Sequence, residues 1–504
     1  MTLVVEDIPP VGNVAEENED ICQAYPDHEM RALKRLTFWK TIFKSERGLT
    51  NQTSEELVGY AILKRDILPS HADQLRRDSW HVFESVFRLS GERVCYISCA
   101  REYPVRIGKK YPKTFRISGV IHCEQNEVTK VCAQAALRSL CIPLLAGREL
   151  SYRYINKLAA RAWNEAKIYP RRHKLKRPPK GNFNPRNGLE SFQIRFILDE
   201  LEIGYIDVDY ENLEKTKRFR RIRKDCPYRY LMCAGIESGA GALLGFSFLD
   251  RNGQKVKHLL PFFGHTFNRD AWTPTAEDAY FRVDKDTAYI PNLSWWSSFI
   301  GHDDGFGSNF CLPRLYLKSK DVQYVLAINP PHVCYDAKTA ETIALHYLYS
   351  VLEHKHVAVA LNKSRWLKRL AGYAKLDKIV LRTVFLTRSQ YIRHLEGLRD
   401  WQSRREYRGL CAALERALRR NKFERLWMVE FSVPDLYPTN LRKLGEIVLD
   451  AGTEATMEPN WGTFLFARFP AQLLAFNRIG QNNIPDLEQV QSRLKSHTQL
   501  FTRM

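Results

Sequence analysis

The chain has 504 residues, a length typical of about three domains, and 44% of them are hydrophobic, enough for sizeable cores. No run of about 18 apolar residues occurs, so the sequence predicts no membrane span. The eleven cysteines include no CxxC pair, which argues against a zinc ribbon. The acidic first residues lack a signal-peptide pattern, and with the odd cysteine count this favours reduced thiols and a cytoplasmic location.

The net charge of +20 and the isoelectric point near 9.4 allow an anionic partner. Much of the excess falls in RRHKLKRPPK at 171–180 and KTKRFRRIRK at 215–224. The side chains that would bind such a partner are Arg171, Arg172, Lys174, Lys176, Arg177, Lys180, Lys217, Arg218, Arg220, Arg221, Arg223 and Lys224. No recognition helix, finger or RNA-binding signature accompanies them, so a solvated surface or a partner-docking patch is favoured over specific nucleic-acid recognition.

The first part of the chain mixes several patterns. Residues 1–20 are acidic and lack periodicity, which predicts a disordered tail. Within 21–119, RALKRLTFWKTIF at 31–43 is helix-like, whereas GYAILKRDIL at 59–68 and KTFRISGVIHC at 113–123 are typical of strands. We interpret residues 21–119 as an α+β extension of the unit that follows.

Residues 120–320 are predicted to form the central unit. The segments at 149–166 and 189–201 have helical periodicity. YRYLMCAGIESGAGALLGFSFLD at 228–250 predicts a strand, a glycine-rich turn and a second strand. Further strands are predicted at 255–267 and in SWWSSFIGHDDGFG at 294–307. Beyond this unit, residues 321–369 are predicted to be a helical connection packed on it, and 370–504 a C-terminal α/β domain.

The stretch QNEVTKVCAQAALRSL at 125–140 carries the first chemical signal. Cys132 directly precedes a run of helix formers, so it is predicted in the first turn of a helix, where the helix dipole favours a nucleophilic thiolate. Gln125 lies seven residues upstream and could return to donate its amide to a developing oxyanion. The alternative is that Cys132 is a small buried side chain of a core helix and Gln125 a loop residue.

A thiol nucleophile needs a base, and two histidines share the predicted strand HLLPFFGH. His258 and His265 are seven residues apart, so an ideal strand would place them on opposite faces and about 23 Å apart, and they cannot both serve. The next strand ends at His302, Asp303 and Asp304, whose carboxylates could hold an imidazole tautomer. A metal site at these three residues is less favoured, because no HxxxH or cysteine pair accompanies them.

This order of residues resembles the papain-like cysteine peptidases. It looks closest to the bacterial branch that processes double-glycine leaders and to its cytoplasmic relatives. The resemblance covers about residues 120–320 and rests on Gln125, VCAQAALRSL, GLESFQIRFILDELEIG, HLLPFFGHT and FIGHDDGFG. It implies an α+β papain-like core in which the helix bearing the cysteine packs on an antiparallel sheet bearing the histidine and the acid.

The resemblance also implies roles for the first two residues. Carried over by position, Cys132 would be the nucleophile and Gln125 would line the oxyanion hole. The chain departs from the family pattern in its Gln125-to-Cys132 spacing, one residue longer than expected, and in having Ala133 after the cysteine.

The base and the acid follow from the same resemblance. The family histidine opens a hydrophobic strand, which matches His258 better than His265. The family acid lies just before a glycine turn, which matches Asp303, with Asp304 as the alternate. The interval of 45 residues from His258 to Asp303 is longer than the family's short hairpin and requires an insertion.

The sequence therefore predicts acyl transfer at a peptide, isopeptide or side-chain amide of a peptide or protein substrate. Cys132 would attack the carbonyl carbon, His258 would protonate the leaving amine and Asp303 would hold the imidazole. This chemistry requires no cofactor and no metal. The alternative hypothesis is a non-catalytic interaction protein of the same fold that binds nucleic acid or a protein partner through its basic loops.

Overall fold

The computed structural model of the protein describes residues 1–69, 76–88, 95–126, 128–145, 147–211, 227–249, 253, 255–270, 272, 276–277, 289–353, 364–397, 424–454, 461–470, 472–479, 485–491 and 498–501. The predicted basic side chains Lys217, Arg218, Arg220, Arg221, Arg223 and Lys224 lie outside the described residues. So does most of the insertion between the predicted histidine and acid strands.

The helices are α1 Asn13–Ala24, α2 Glu46–Thr50, α3 Cys132–Cys141, α4 Tyr152–Ile168, α5 Ser191–Glu200, α6 Tyr228–Glu237, α7 Ala337–Glu353, α8 Arg365–Ala374, α9 Arg388–Gly397 and α10 Tyr437–Asn440. The N-terminal strands are β1 Thr2–Asp7, β2 Glu29–Trp39, β3 Leu57–Pro69, β4 Arg76–Phe87, β5 Cys95–Ile97, β6 Arg101–Ile107 and β7 Lys113–Gly119. The central strands are β8 Tyr205–Asp209, β9 Ala242–Leu249, β10 Lys255–Phe267, β11 Ile290–Pro291, β12 Trp296–Asp303, β13 Gly307–Pro313 and β14 Val322–Ile328. The C-terminal strands are β15 Val380–Thr387, β16 Arg425–Ser432, β17 Arg442–Lys443, β18 Gly445–Asp450, β19 Phe464–Phe469, β20 Gln472–Ile479, β21 Pro485–Gln491 and β22 Thr498–Gln499.

Helices and mainly antiparallel sheets are mixed along the chain, so the predicted α+β class is confirmed. Within the described residues, no helix combines the length and the apolar character that crossing a membrane requires.

Strands β1 to β4 form an antiparallel sheet in sequential order. The prediction of a disordered tail at residues 1–20 is wrong, because β1 is the edge strand of this sheet and α1 follows it. The helix predicted at 31–43 is also wrong, since most of that segment belongs to β2. Leu33, Thr37 and Trp39 are buried and are separated by even numbers of residues. In a strand, whose side chains alternate between two faces, such residues lie on the same face.

Acidic side chains of α1 bind the helix to other parts of the chain. Glu17 is buried, and its carboxylate accepts a hydrogen bond from Asn126 and lies 3.3 Å from Nζ of Lys130. On the surface of the same helix, Glu19 pairs with Arg153 of α4. Helix α1 therefore binds the loop that leads into α3.

The central sheet has the order β13-β12-β10-β9-β14-β8, and each neighbouring pair is antiparallel. Adjacent residues of β10 pack in different cores, with Leu259 in the cluster of α3 residue Leu137 and Leu260 in the cluster of α6 residue Leu231. The sheet is thus covered by a helix on each face. The helix that begins with Cys132 packs directly on β10.

Two sequence predictions about this unit are wrong. Residues 228–237 form α6 where a strand was predicted, although the second strand of that segment is confirmed as β9. Strand β14 lies inside the central sheet, so the predicted boundary at residue 321 cuts that sheet rather than opening a helical connection. Helix α7 packs mainly on the C-terminal sheet.

The C-terminal sheet has the order β11-β15-β16-β18-β19-β20-β21. Within the described residues its only parallel pair is β11 with β15, so the predicted α/β layer is wrong and this unit is also α+β. A buried ion pair joins it to the central unit, since Nη2 of Arg382 on β15 lies 2.9 Å from Oε2 of Glu237 on α6.

The substitution Glu17→Ala is expected to destabilise the protein, because it leaves the buried ammonium of Lys130 without its carboxylate. The two side chains are 1% and 0% exposed, and removal of one partner of a buried ion pair costs about 3 to 5 kcal/mol. Urea unfolding followed by tryptophan fluorescence would show this cost as a lower midpoint.

The matched control is Glu19→Ala on the same helix. The Glu19 side chain is 64% exposed, so losing its ion pair should cost less than about 1 kcal/mol. Equal midpoints for the two variants would show that α1 is not held by its buried carboxylate.

Candidate active site

Cys132 is the first residue of α3, as the sequence predicts, and its side chain is half-buried. The loop before it is shaped by Asn126, whose Oδ1 accepts the backbone N–H groups of Val128, Thr129 and Lys130. The sequence analysis missed this role, although an asparagine that binds nearby backbone groups is a common turn residue. Because Cys132 is the first residue of α3, its thiol lies at the positive end of the helix dipole.

His258 lies between the thiol and a carboxylate. Its Nε2 atom is 3.0 Å from Oδ2 of Asp303, and Cys132 is close enough to the ring to raise the pKa of the imidazole. Because Nε2 faces the carboxylate, Nδ1 is the ring nitrogen left for the thiol. Phe246, the partner of His258 on β9, packs edge-on against the imidazole with the ring centroids 5.8 Å apart.

The electrostatics of this pair favour an imidazolium beside a carboxylate. Burial alone lowers the pKa of His258, but the interactions with Asp303 and Cys132 outweigh burial and raise that pKa to about 10. Burial raises the pKa of Asp303, but the bond from His258 and the N–H groups of Phe306 and Gly305 bring it below its ordinary value. Those N–H groups lie 2.9 and 2.7 Å from Oδ1 of Asp303. A protonated His258 stabilises a neighbouring thiolate.

Asp304 takes a different partner from Asp303. Its Oδ2 atom accepts a hydrogen bond from Nε2 of Gln125. Burial raises the pKa of Asp304, against the opposing effect of the Gln125 hydrogen bond. The structure thus gives the two candidate acids separate contacts, one with the base and one with the predicted oxyanion donor.

The alternate base, His265, lies outside this cluster. Its ring stacks on Trp296 with the centroids 3.7 Å apart, and its Nε2 atom lies 3.3 Å from Oε1 of Glu237. A register shift between Phe262 and Gly264 also interrupts the alternation of β10, so the simple argument from opposite faces does not hold along the whole strand. His265 is placed by its own contacts with α6 and β12.

His302 is buried between structural partners. Its Nδ1 atom accepts the N–H of Asn309, and its Nε2 atom is 3.3 Å from the carbonyl oxygen of Val120. Within the described part of the chain, no group of three or more His, Cys, Asp or Glu residues is placed to hold a metal ion.

A second thiol–imidazole pair was missed in the sequence, where its only signal is a histidine six residues after a cysteine. Cys22 Sγ lies 3.4 Å from Nδ1 of His28, whose Nε2 atom is 3.0 Å from Oδ1 of Asp66. Cys22 is near the C-terminal end of α1, however, where the helix dipole disfavours a thiolate. Asp66 is also paired with Lys64 at 3.1 Å. The cluster around Cys132 is therefore the better candidate for nucleophilic chemistry.

Comparisons with models of known protein families, with curated proteins and with solved structures found no match for this chain.

The labelling of Cys132 by iodoacetamide at pH 6 is expected to be about 10- to 100-fold faster in wild type than in His258→Ala. The sign follows from the His258 pKa of about 10, because the imidazolium persists at pH 6 and stabilises the thiolate. As the pH rises above about 9, thiols ionise without an imidazolium beside them, so the two rates should converge. Site-resolved mass spectrometry measures the rates, with the exposed thiols of Cys311 and Cys334 as internal references. Equal rates at pH 6 would contradict the ion pair.

Proposed function

We propose that the protein is a thiol acyl-transfer enzyme of the papain-like cysteine peptidase type, acting on a peptide, isopeptide or side-chain amide bond. The observation that carries the proposal is the position of His258, which lies 3.0 Å from Asp303 and near enough to Cys132 for the thiol to raise the pKa of its imidazole. A thiol nucleophile needs a base within hydrogen-bond reach and a third group that orients the base. Three residues far apart in the sequence meet in that arrangement.

The architecture supports the same proposal. The helix that begins with Cys132 packs on β10, which bears His258, and Asp303 ends the neighbouring strand β12. A helix with the nucleophile packed on an antiparallel sheet with the base and the acid is the arrangement that the papain-like resemblance implies. The eight cysteines whose side chains the structure describes are all free, which suits a thiol enzyme of a reducing compartment such as the cytoplasm.

In the first half of the proposed reaction, the Cys132 thiolate attacks the carbonyl carbon and a C–S bond forms. Negative charge develops on the carbonyl oxygen, and the backbone N–H of Cys132 and the amide of Gln125 donate hydrogen bonds to it. The imidazolium of His258 then gives its proton to the leaving amine nitrogen as the C–N bond breaks. The product of this half is a thioester on Cys132.

In the second half, neutral His258 accepts a proton from water or from an acceptor amine, which attacks the thioester carbonyl. The C–S bond breaks and the thiolate of Cys132 is restored beside the imidazolium. Asp303 stays ionised throughout and holds the tautomer in which Nδ1 faces the thiol.

Acylation by p-nitrophenyl acetate tests this proposal without knowledge of the natural substrate. Wild-type protein is expected to release p-nitrophenolate in a stoichiometric burst and to carry the acetyl group on Cys132. At pH 6, His258→Ala should slow the burst about 10- to 100-fold, because the variant lacks the imidazolium that stabilises the thiolate. The p-nitrophenolate leaving group needs no proton from His258. Stopped-flow absorbance measures the burst, and peptide mass spectrometry locates the acetyl group.

The matched control for this experiment is Cys311→Ser, because Cys311 is an exposed thiol on β13 that is not part of the cluster. This variant should acylate like wild type, whereas Cys132→Ser should show no burst. Acetyl groups spread evenly over the exposed thiols would exclude a catalytic role for Cys132.

A second candidate function is binding of an anionic partner, and one observation favours it. The loop between α4 and α5 presents a set of exposed basic side chains, namely Arg171, Arg172, Lys174, Lys176, Arg177 and Lys180. A surface with this density of positive charge attracts phosphate backbones or acidic proteins.

If this loop binds nucleic acid, the triple variant Arg171→Glu, Lys174→Glu, Lys176→Glu should weaken binding to a duplex DNA. Each lost phosphate contact lowers the slope of log K against log salt concentration by about 1. Fluorescence anisotropy over a salt series measures that slope. Reversal of the exposed Lys109 and Lys110 is the matched control, and an equal loss in both variants would argue against a site on this loop.

A further inference from the structure

The two neighbouring carboxylates of one turn hold different parts of the proposed machinery. Asp303 is buried, and its oxygens accept from His258 and from the N–H groups of Gly305 and Phe306. Asp304 is half-buried and accepts from the side chain of Gln125. In the proposed mechanism Asp303 orients His258, whereas the contact between Asp304 and Gln125 has no role yet.

Oδ2 of Asp304 accepts a hydrogen bond from Nε2 of Gln125. The glutamine therefore presents its NH2 group, not its carbonyl oxygen, to this carboxyl group. Because Nε2 carries two hydrogens, one can bind Asp304 while the other remains for a second acceptor. The contact with Asp304 thus selects the amide orientation in which Gln125 is a donor.

The contact with Asp304 also restricts the conformation of the Gln125 side chain. Gln125 lies half-buried in the loop before α3, and a side chain of this type has several rotamers in the absence of a partner. A hydrogen bond to a charged acceptor is stronger than a neutral one and fixes the geometry of the donor. An oxyanion donor must be held within about 0.5 Å of its productive position.

We propose that Asp304 is a positioning residue that orients the amide of Gln125 toward the developing oxyanion. The inference rests on the proposed function, since it needs Cys132 to be acylated. One turn then places both the imidazole, through Asp303, and the oxyanion donor, through Asp304.

Two reactions of the same thiol separate this role from a merely structural one. Acylation by p-nitrophenyl acetate passes through a tetrahedral oxyanion, whereas alkylation by iodoacetamide does not. The ratio of the two rates at Cys132 therefore reports the oxyanion donor and cancels changes in thiolate content. Asp304→Ala is expected to lower the ratio about 10- to 100-fold, somewhat less than the loss of a complete oxyanion donor on an amide substrate.

Three further variants make the expectation specific. Gln125→Ala should lower the ratio at least as much as Asp304→Ala, because it removes the donor itself. The double variant should lower it no further than Gln125→Ala, because Asp304 acts through Gln125. Asp304→Asn keeps an oxygen that can accept from Gln125 and should give an intermediate ratio. Asp303→Asn should slow alkylation as well as acylation, because it disturbs His258.

The outcomes are distinguishable. A normal wild-type burst with an unchanged ratio in Asp304→Ala and Gln125→Ala would overturn this inference and leave the proposed function standing. Additive losses in the double variant would also overturn it. Absence of any acylation of Cys132 in wild type would overturn the proposed function and this inference with it. If Asp304→Ala does not fold, Asp304→Asn and Gln125→Ala test the same contact.

Discussion

The hydrogen-bonded carboxylate of Asp303 is the contact on which the geometry of the candidate site depends. A buried carboxylate without partners is costly, so the fold must supply donors to it. Those donors are His258 and the N–H groups of Gly305 and Phe306. The first lies on β10 and the others lie in the turn after β12, and satisfying the carboxylate therefore fixes one element against the other. The same carboxylate therefore stabilises the turn and orients the imidazole.

Local signals in the sequence predicted where Cys132 lies, but they could not decide between the two candidate histidines. The first-turn position of Cys132 follows from the helix formers behind it, and the structure confirms that position. Choosing between His258 and His265 was beyond local pattern, because both lie on β10. The choice depends on Glu237 and Trp296, which come from α6 and β12 and hold His265 away from the thiol. The catalytic roles themselves remain predictions.

The errors in the fold arise where tertiary contacts override local pattern. Helix α6 was predicted as a strand because its sequence is apolar and aromatic without a polar face. It lies between the central sheet and α7, and nearly all of its residues are buried. The acidic start of the chain was predicted to be disordered because it is rich in acidic residues and lacks periodicity. The partner of Glu17 is Lys130, more than a hundred residues away.

The two histidines of β10 show why a carboxylate beside an imidazole is not in itself the mark of a catalytic base. Each lies near an acid, Asp303 at 3.0 Å and Glu237 at 3.3 Å, and burial lowers the pKa of both. The pKa of His258 nevertheless rises, whereas that of His265 falls. The His265 side chain is 5% exposed against 17% for His258, and Arg382 adds a positive charge beside it. At His258 the interactions with Asp303 and Cys132 outweigh burial. The depth of burial and the neighbouring groups together therefore separate an imidazole whose pKa is raised from one whose pKa is lowered.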